Sequence, residues 1–417
     1  MKRLVSRIIL DLIILLLLCI LLRSDQPPAL SIWDKMALPY TFSITGWEFS
    51  NFFNKWEYRL QQIYYPDRLS DEGRVNLVEE YLSLAQEASS LEDNLNRKKA
   101  EGVSSEEEIK ALETQLTELV KKRNGLESRV EEIIEGQISK ILADENVAKT
   151  IGIVGEVEFL FPPVDFEFED APYVLIISPR QEIEITETIL LRPDVSLEQI
   201  LDIEDKVSSQ DMSGLVEGTG GVATYPSVIP HSVSLQYLLS TVAHEWLHQY
   251  FYFHPLGRNY WSNYEMTSIN ETAAGIAGDE IGSLVYNRYY SEEDNDDKDG
   301  SEAAPVTYES EPVFDFNKEM RETRLTVDAY LAQGQIEEAE RYMEERRQYL
   351  AENGYYIRRL NQAYFAFHGS YADAPTSVNP IGGYVKELRQ QSPSLGEFIK
   401  TVSGISNYDE LLIMTGE

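Results

Sequence analysis

The chain has 417 residues, 43% of them hydrophobic and 11% aromatic, which is enough for two or more folded units with sizeable cores. The formal net charge of −35 at pH 7 argues against nucleic acid as a partner, because a phosphate backbone would be repelled. Cys19 is the sole cysteine, so an internal disulfide is excluded and a metal site must use histidine or carboxylate side chains.

The N-terminus has the pattern of a membrane segment. A basic cluster precedes an apolar run from Ile8 to Leu22 that only Asp11 interrupts. The run approaches the length of about 20 residues that spans a bilayer, and no small-residue cleavage site follows it. We therefore predict an uncleaved anchor at residues 1–23, with a cleaved signal peptide as the alternative. Because the positive charges come first, the rest of the chain is expected outside the cytoplasm, as a single-pass cell-membrane protein or, after cleavage, a secreted one.

Residues 24–70 form a juxtamembrane segment rich in tryptophan and tyrosine. An amphipathic helix is predicted from about Glu48 to Tyr64. Its aromatic rings suit either the bilayer surface, where such rings are favoured, or packing on the rest of the protein. Both interpretations fit the sequence.

Residues 71–150 have the pattern of a helical coiled-coil hairpin. In the second arm, apolar side chains recur at spacings of three and four from Ile109 to Ile133, which is typical of an a/d seam. The pattern breaks before Ser105, which can form a capping box for the second arm with Glu108. The hairpin is expected to act as a spacer or as an arm for a coiled-coil partner.

From residue 151 to 417, predicted strands give way to predicted helices, an order typical of an α+β fold. Strands are expected at 157–161, 173–178, 182–190 and 220–226, with a helix at 197–208. After His231 the pattern is helical almost throughout. The sequence therefore predicts a small mixed sheet followed by a mostly helical part.

The most informative motif is His244-Glu245-Trp246-Leu247-His248, which has the H-E-x-x-H form of a zinc-dependent peptidase. Its histidines are four residues apart, so they lie on one face of a helix and can reach one metal ion. Glu245 is placed to accept the proton of a metal-bound water. Uncharged, helix-compatible neighbours indicate a buried helix. Zn²⁺ is therefore the expected cofactor.

A peptidase zinc site needs a third protein ligand, and the sequence offers two candidates. His254 has the spacing of a longer histidine motif, but that motif requires glycine at the position of Phe251, where a phenylalanine would be strained. The preferred interpretation of His254 is a side chain at the end of the motif helix. The other candidate is Glu271, on a second helix predicted from about Ser268 to Tyr290 that can fold back beside the first.

Together, the motif and the downstream segment Asn270-Glu271-Thr272-Ala273-Ala274 resemble the gluzincin metallopeptidases, the group that contains thermolysin-like enzymes and zinc aminopeptidases. The resemblance covers roughly residues 220–290, and the tail is similar to that of uncharacterised bacterial zinc peptidases and aminopeptidases. It implies a zincin-like peptidase domain at 151–417, with an edge strand near Gly220 that holds the substrate main chain. The functional residues it implies are His244, His248 and Glu271 as zinc ligands and Glu245 as the catalytic base.

The chain departs from thermolysin at Gly275, where an aspartate would orient a ligating histidine. Asp279 or Glu280 is the remaining candidate for that role. A donor that stabilises the oxyanion is expected from the C-terminal helices. The candidates there are Tyr364, His368 and Tyr371.

The sequence therefore predicts a membrane-anchored zinc peptidase that hydrolyses peptides or proteins. Two alternatives remain open: a zincin-fold binding or scaffold protein without catalysis, and a structural zinc closed by four protein ligands. The intact Glu245 favours catalysis, because the fold alone does not require a base there. Aminopeptidase and endopeptidase activity fit the pattern equally well.

Overall fold

The computed structural model describes residues 30–48, 69–101, 105–147, 160–291, 314–370, 376 and 380–416. The chain divides into two units after Tyr40. In this described part of the chain, no helix has the length and apolarity needed to cross a bilayer. The predicted membrane segment at 1–23 lies outside the described residues, as does most of the predicted helix from Glu48 to Tyr64.

The described part of the first unit is a short helix, α1 (Ile32–Ala37), followed by a 3₁₀ turn from Leu38 to Tyr40. Ser31 begins the helix through a capping box. Its hydroxyl accepts a hydrogen bond from the amide of Asp34 at 3.0 Å, and the Asp34 carboxylate accepts one from the amide of Ser31 at 2.8 Å. These bonds satisfy amides that the first helical turn would leave unpaired.

Two small sheets are built from the strands of the second unit. The strands are β1 (Phe166–Phe168), β2 (Tyr173–Pro179), β3 (Glu187–Leu191), β4 (Met212–Gly218) and β5 (Ser227–Ile229). β2 is the central strand of an antiparallel sheet of order β3–β2–β4, and β1 pairs in parallel with β5. Ile176 of β2 lies opposite Thr188 of β3 and Leu215 of β4.

The strands agree with the sequence pattern in part. The predicted strand at 173–178 is confirmed as β2, whereas β3 begins later than predicted. The pattern does not predict β4, because its two glycines and short apolar stretch lack strand alternation. Instead of a strand at 220–226, the chain makes a single bridge between Val222 and Val228. The predicted strand at 157–161 lies mostly outside the described residues.

Helices make up most of the second unit. They are α2 (Asp71–Glu101), α3 (Glu106–Asn124), α4 (Glu127–Asp144), α5 (Leu197–Ser208), α6 (Leu235–Tyr252), α7 (Pro255–Arg258), α8 (Tyr264–Tyr289), α9 (Phe316–Ala332), α10 (Ile336–Glu352), α11 (Gln362–Gly369), α12 (Ile381–Gln391), α13 (Leu395–Ser403) and α14 (Tyr408–Thr415). α5 begins where predicted, because Ser196 and Gln199 form a reciprocal capping box. The prediction of an α+β fold with a small sheet and a mostly helical C-terminal part is confirmed.

The predicted second arm of the hairpin is two helices rather than one. α3 ends at Asn124, and a turn at Gly125 and Leu126 leads into α4. α2 and α3 pair with each other, as expected for a hairpin. α4 packs against α2 and, in addition, against α8 and β1.

α4 belongs to the main hydrophobic core. Its Ile134, Ile138 and Leu142 are fully buried in the same cluster as side chains of α6 and α8. A two-helix seam could not bury all of the apolar side chains of α4, so α4 packs in the larger core. The packing therefore places residues 127–144 in the core of the helical part, whereas the sequence pattern assigned them to a hairpin at 71–150.

Two glutamates of α4 are bonded to β1. Glu135 accepts a hydrogen bond from the amide of Phe166 at 3.0 Å, and Glu131 accepts one from the amide of Phe168 at 2.9 Å. Both carboxylates and both amides are buried, where an unpaired polar group would be costly. These bonds fix α4 against the small parallel sheet.

Candidate metal centre

The motif helix α6 holds His244, Glu245 and His248. It begins after Ser234, whose hydroxyl accepts a hydrogen bond from the amide of Tyr237 at 3.3 Å. His244 and His248 lie one helical turn apart, and their Nε2 atoms are separated by 3.0 Å. Both ring nitrogens therefore converge on one point beside the helix.

α8 carries Glu271 and runs directly against α6. Two glycines allow this close approach: a Cβ at Gly278 would lie 3.1 Å from the amide nitrogen of His244, and one at Gly282 would lie 2.8 Å from that of Ser240. In a close-packed interior, a Cβ at Gly282 would displace backbone, and one at Gly278 would force its neighbours to shift by a few tenths of an ångström. The approach brings Glu271 on one helix to the histidines on the other.

Glu271 completes a ligand triangle with His244 and His248. Its Oε2 lies 3.5 Å from Nε2 of His244 and 3.6 Å from Nε2 of His248. A tetrahedral Zn²⁺ bound at about 2.0–2.1 Å keeps its ligand atoms roughly 3.3–3.4 Å apart. The two distances to Glu271 are slightly longer than this and the 3.0 Å between the histidine nitrogens is shorter, so the triangle has the size of a metal site. Among the residues that the structure describes, these three are the one group of this kind that could hold a metal ion. Their predicted proximity is confirmed, and the identity of the metal stays a prediction.

Asn270 orients His248. Its side-chain oxygen lies 2.8 Å from Nδ1 of His248, and Asn270 is buried. Because an amide oxygen only accepts, Nδ1 carries a proton, so Nε2 is the ring nitrogen that can bind a metal once its own proton is displaced. The residues that the sequence offered for this role lie elsewhere: Asp279 is exposed, and Glu280 pairs with Arg389 at 2.7 Å.

Tyr260, in the loop between α7 and α8, contacts the ligand triangle. Its hydroxyl donates a hydrogen bond to Oε1 of Glu271, and its ring stands edge-on to His248 with centroids 6.1 Å apart. Sequence reasoning missed this residue, because a loop tyrosine outside any motif carries no periodic signal. The one available signal is the Pro255-Leu256-Gly257 turn that returns the chain towards the site.

Glu245 is buried beside the ligand triangle, with 7% of its surface exposed. Its carboxylate has space because residue 221 is glycine: a Cβ at Gly221 would lie 2.7 Å from Oε1 of Glu245. Burial raises the pKa of Glu245, and the neighbouring His244 and His248 offset only part of the rise. Glu245 is therefore a carboxylate with a strengthened affinity for a proton.

The cluster as a whole attracts positive charge. Burial alone would lower the pKa of His248, yet Glu271 and Glu245 raise it to about 9. Burial would likewise raise the pKa of Glu271, but His248 and His244 hold it below the usual range of a glutamate. Two buried carboxylates beside two imidazoles thus favour a bound cation, which a divalent metal would supply.

His254 is not part of the ligand triangle. Its Nδ1 donates to the main-chain oxygen of Tyr250 at 2.8 Å, and its ring stacks on that of Tyr250 at 4.4 Å. It also precedes Pro255, the first residue of α7. The interpretation of His254 as a side chain at the end of the motif helix is confirmed.

The candidate oxyanion donors of α11 pack beside the antiparallel sheet. Tyr364 contacts the apolar face of that sheet, and the ring of His368 lies against that of Tyr364 in a tilted arrangement with centroids 4.2 Å apart. Burial raises the pKa of Tyr364 to about 12 and lowers that of His368 to about 4. Tyr371 lies outside the described residues. The donor role of all three stays a prediction.

No family model, curated protein or solved structure matches the chain. The side chains of the site determine which reactions it can support. Within the described residues, two imidazoles and one carboxylate can hold a cation, and a buried proton acceptor lies alongside. Three protein ligands are typical of a catalytic zinc, whereas a structural zinc is closed by four.

Proposed function

We propose that this protein is a zinc-dependent peptidase whose residues 151–417 include a zincin-like domain of the gluzincin type. His244, His248 and Glu271 are the proposed metal ligands, and Glu245 is the proposed general base. The observation that supports the proposal is the ligand triangle, with Nε2–Oε2 distances of 3.5 and 3.6 Å and a buried glutamate beside it.

The surrounding residues divide the work of hydrolysis. Zn²⁺, when bound, supplies a Lewis acid and acidifies water. Asn270 and Tyr260 hold two of the ligands in place through their hydrogen bonds to His248 and Glu271. Glu245 accepts the proton of the attacking water and returns it to the leaving amine, a task that a pKa raised by burial suits.

The proposed substrate is a peptide or protein that lies along the segment from Gly220 to Thr224. Gly221 of this segment touches Glu245, and Val222 exchanges two main-chain hydrogen bonds with Val228, at 3.1 and 3.0 Å. An extended peptide beside this segment could add a further strand through main-chain hydrogen bonds. The scissile bond would then pass next to the base.

The proposed setting is the outer face of a cell membrane. The apolar run from Ile8 to Leu22 behind a basic cluster supports an anchor with the remainder extracytoplasmic, or a secreted protein if the anchor is cleaved. The paired helices α2 and α3 offer a surface for a coiled-coil partner.

Metal analysis combined with peptide-library cleavage on the full-length protein tests this proposal. Wild type is expected to hold about one zinc per chain and to cleave peptides. Glu245→Gln should keep its zinc and lose about 10²–10⁴-fold in kcat/KM, because it removes the proton acceptor and leaves the ligands unchanged. Glu337→Gln, an exposed change on α10, is the matched control and should behave as wild type.

Two results would contradict peptidase function. One is equal cleavage by wild type and Glu245→Gln with zinc retained in both. The other is no cleavage by either protein, again with zinc bound. The second result would favour a binding or scaffold protein that keeps the metal without using it.

A further inference from the structure

We infer that Tyr260 is a positioning residue that makes Glu271 bind the metal through one carboxylate oxygen only. The inference rests on the metal site of the proposed function and is independent of peptide cleavage. A carboxylate can coordinate a metal through one oxygen or through both. One-oxygen binding leaves a coordination position open for water, whereas two-oxygen binding would occupy it.

The two carboxylate oxygens of Glu271 have different surroundings. Oε2 faces the two histidines, at 3.5 Å from His244 and 3.6 Å from His248. Oε1 accepts the hydrogen bond of the Tyr260 hydroxyl. A phenol has a single proton to donate, and here it is directed at Oε1. The hydrogen bond occupies one of the two lone pairs of this oxygen and so weakens it as a second metal ligand.

Tyr260 is itself attached to α8 at two points. Its main-chain oxygen accepts a hydrogen bond from the hydroxyl of Thr267 at 2.6 Å. Thr267 precedes Glu271 by four residues, so the two lie one turn apart on the same face of α8. Tyr260 therefore contacts that face through its main chain and its side chain together, which fixes the direction of the phenol.

The loop that carries Tyr260 depends on a glycine. A Cβ at Gly257 would lie 2.3 Å from the main-chain carbonyl of Phe251, so a larger residue cannot occupy this position without displacing the backbone. The close contact lets α7 turn back immediately after α6. This return brings Tyr260 to the ligand triangle only a few residues after the motif helix ends.

The ring of Tyr260 is held independently of its hydroxyl. It stands edge-on to His248 at 6.1 Å and to Trp261 at 4.6 Å between ring centroids. Tyr260→Phe keeps both ring contacts and removes the hydrogen bond to Glu271. The variant therefore tests the effect of the phenol on the carboxylate.

Zn²⁺ affinity and the visible spectrum of the Co²⁺-loaded protein, both measured on the full-length chain, test the inference. Tyr260→Phe is expected to bind Zn²⁺ about 10–100-fold more weakly than wild type, the usual effect of losing a partner that orients a ligand. Its Co²⁺ bands should also weaken, because higher-coordinate Co²⁺ absorbs less than tetrahedral Co²⁺. Tyr252→Phe makes the same change at a tyrosine of α6 that is 60% exposed, and it should match wild type.

Thermal unfolding of the metal-free proteins shows whether Tyr260→Phe remains folded. Equal zinc affinity and equal Co²⁺ spectra in wild type and Tyr260→Phe would overturn the inference and leave the metal site intact. A lower kcat with unchanged affinity and spectrum would also overturn it, since the phenol would then act on the substrate.

Failure of wild type to bind metal would overturn both this inference and the proposed function. Metal binding without peptide cleavage would overturn peptidase activity alone, and the weaker binding of Tyr260→Phe would still support the inference.

Discussion

Two buried glutamates of this protein have different neighbours: guanidinium groups surround Glu204, and imidazole rings surround Glu271. Glu204 of α5 is fully buried and lies 2.7 Å from Arg358 and 3.0 Å from Arg359, with a further hydrogen bond from the amide of Val216 at 2.8 Å. Glu271 of α8 is almost as deeply buried, but its neighbours are two imidazoles and a phenol.

The difference lies in the charge of the partners. Arginine is always protonated in proteins, so the charge of Glu204 is neutralised within the chain itself. The histidines beside Glu271 are neutral in their metal-binding form, and the carboxylate draws in either a proton, as the raised pKa of His248 shows, or a metal ion. A buried carboxylate beside guanidinium groups is thus structural, and one beside imidazoles is suited to hold a cation.

Glu271→Gln is the change with the largest expected effect on this comparison. It replaces a charged ligand oxygen with a neutral one, so Zn²⁺ affinity should fall by at least about 10³-fold. Competition with a metal chelator measures the affinity, and circular dichroism checks that the metal-free variant is folded. Zinc affinity equal to that of wild type would show that Glu271 is not a ligand.

Glu204→Gln should produce the opposite pattern. The unfolding free energy is expected to fall by about 2–3 kcal/mol, less than the ~3–5 kcal/mol typical of a fully buried ion pair, because Arg358 and Arg359 are partly exposed to water. Zinc affinity should stay unchanged. Urea denaturation measures the loss, and the exposed Glu198→Gln on the same helix is the control. If Glu204→Gln changed the zinc affinity without lowering the stability, the two glutamates would not have the different roles assigned to them.

Gly282→Ala tests the close approach of α6 and α8 that the ligand triangle requires. A Cβ at Gly282 would lie 2.8 Å from the main-chain nitrogen of Ser240, so the variant should lose about 1–3 kcal/mol of unfolding free energy through overpacking. Gly275→Ala, on the same helix with nothing within 4 Å of its Cβ, should instead gain roughly 0.5–1 kcal/mol. Denaturant titration of both variants would refute this account if the two changes had the same sign.

His231 gives the smallest expected effect, through pH. Its Nδ1 lies 3.0 Å from the hydroxyl of Tyr81, and burial, aided by Arg123, lowers the pKa of His231 to about 4. The unfolded chain, with an ordinary histidine pKa of about 6.5, takes up a proton between pH 6.5 and 4 that the folded chain does not. The contribution of His231 to the unfolding free energy is therefore fully present above pH 6.5. It declines as the pH falls, by about 1 kcal/mol between pH 7 and 5.5.

Unfolding free energies of wild type and His231→Gln, compared across this pH range, measure the effect. The variant should lose stability less steeply with falling pH than wild type. Parallel pH profiles for the two proteins would show that His231 does not contribute.

The sequence predicted the parts of the molecule that depend on local spacing. His244 and His248 are four residues apart on a helix, so their convergence follows from helical geometry alone. The start of α5 follows from Ser196 and Gln199, which are three residues apart and form the cap directly. Glu271 was found because a third ligand was needed and a second helix carried one carboxylate at a suitable place.

The sequence did not predict the parts that depend on contacts between distant segments. Gly278 and Gly282 are visible in the sequence, but the helix that they approach is not. Tyr260 and Asn270 act through hydrogen bonds whose partners are fixed only once α6, α7 and α8 have packed. The break between α3 and α4 is likewise decided by the core that α4 joins, because the apolar spacing continues across Gly125.

The place of α4 determines which fragments of the chain can fold. Its apolar side chains fill the main core, Gln137 accepts a hydrogen bond from Tyr290 at 2.7 Å, and Asp144 pairs with Arg288 at 2.7 Å. A chain cut near residue 151 would lose this helix and leave apolar surface of α6 and α8 bare, and such surface promotes aggregation. A folded fragment of the helical part therefore has to keep α4, and it also has to keep α2, whose Val78 and Tyr81 are fully buried in the same core.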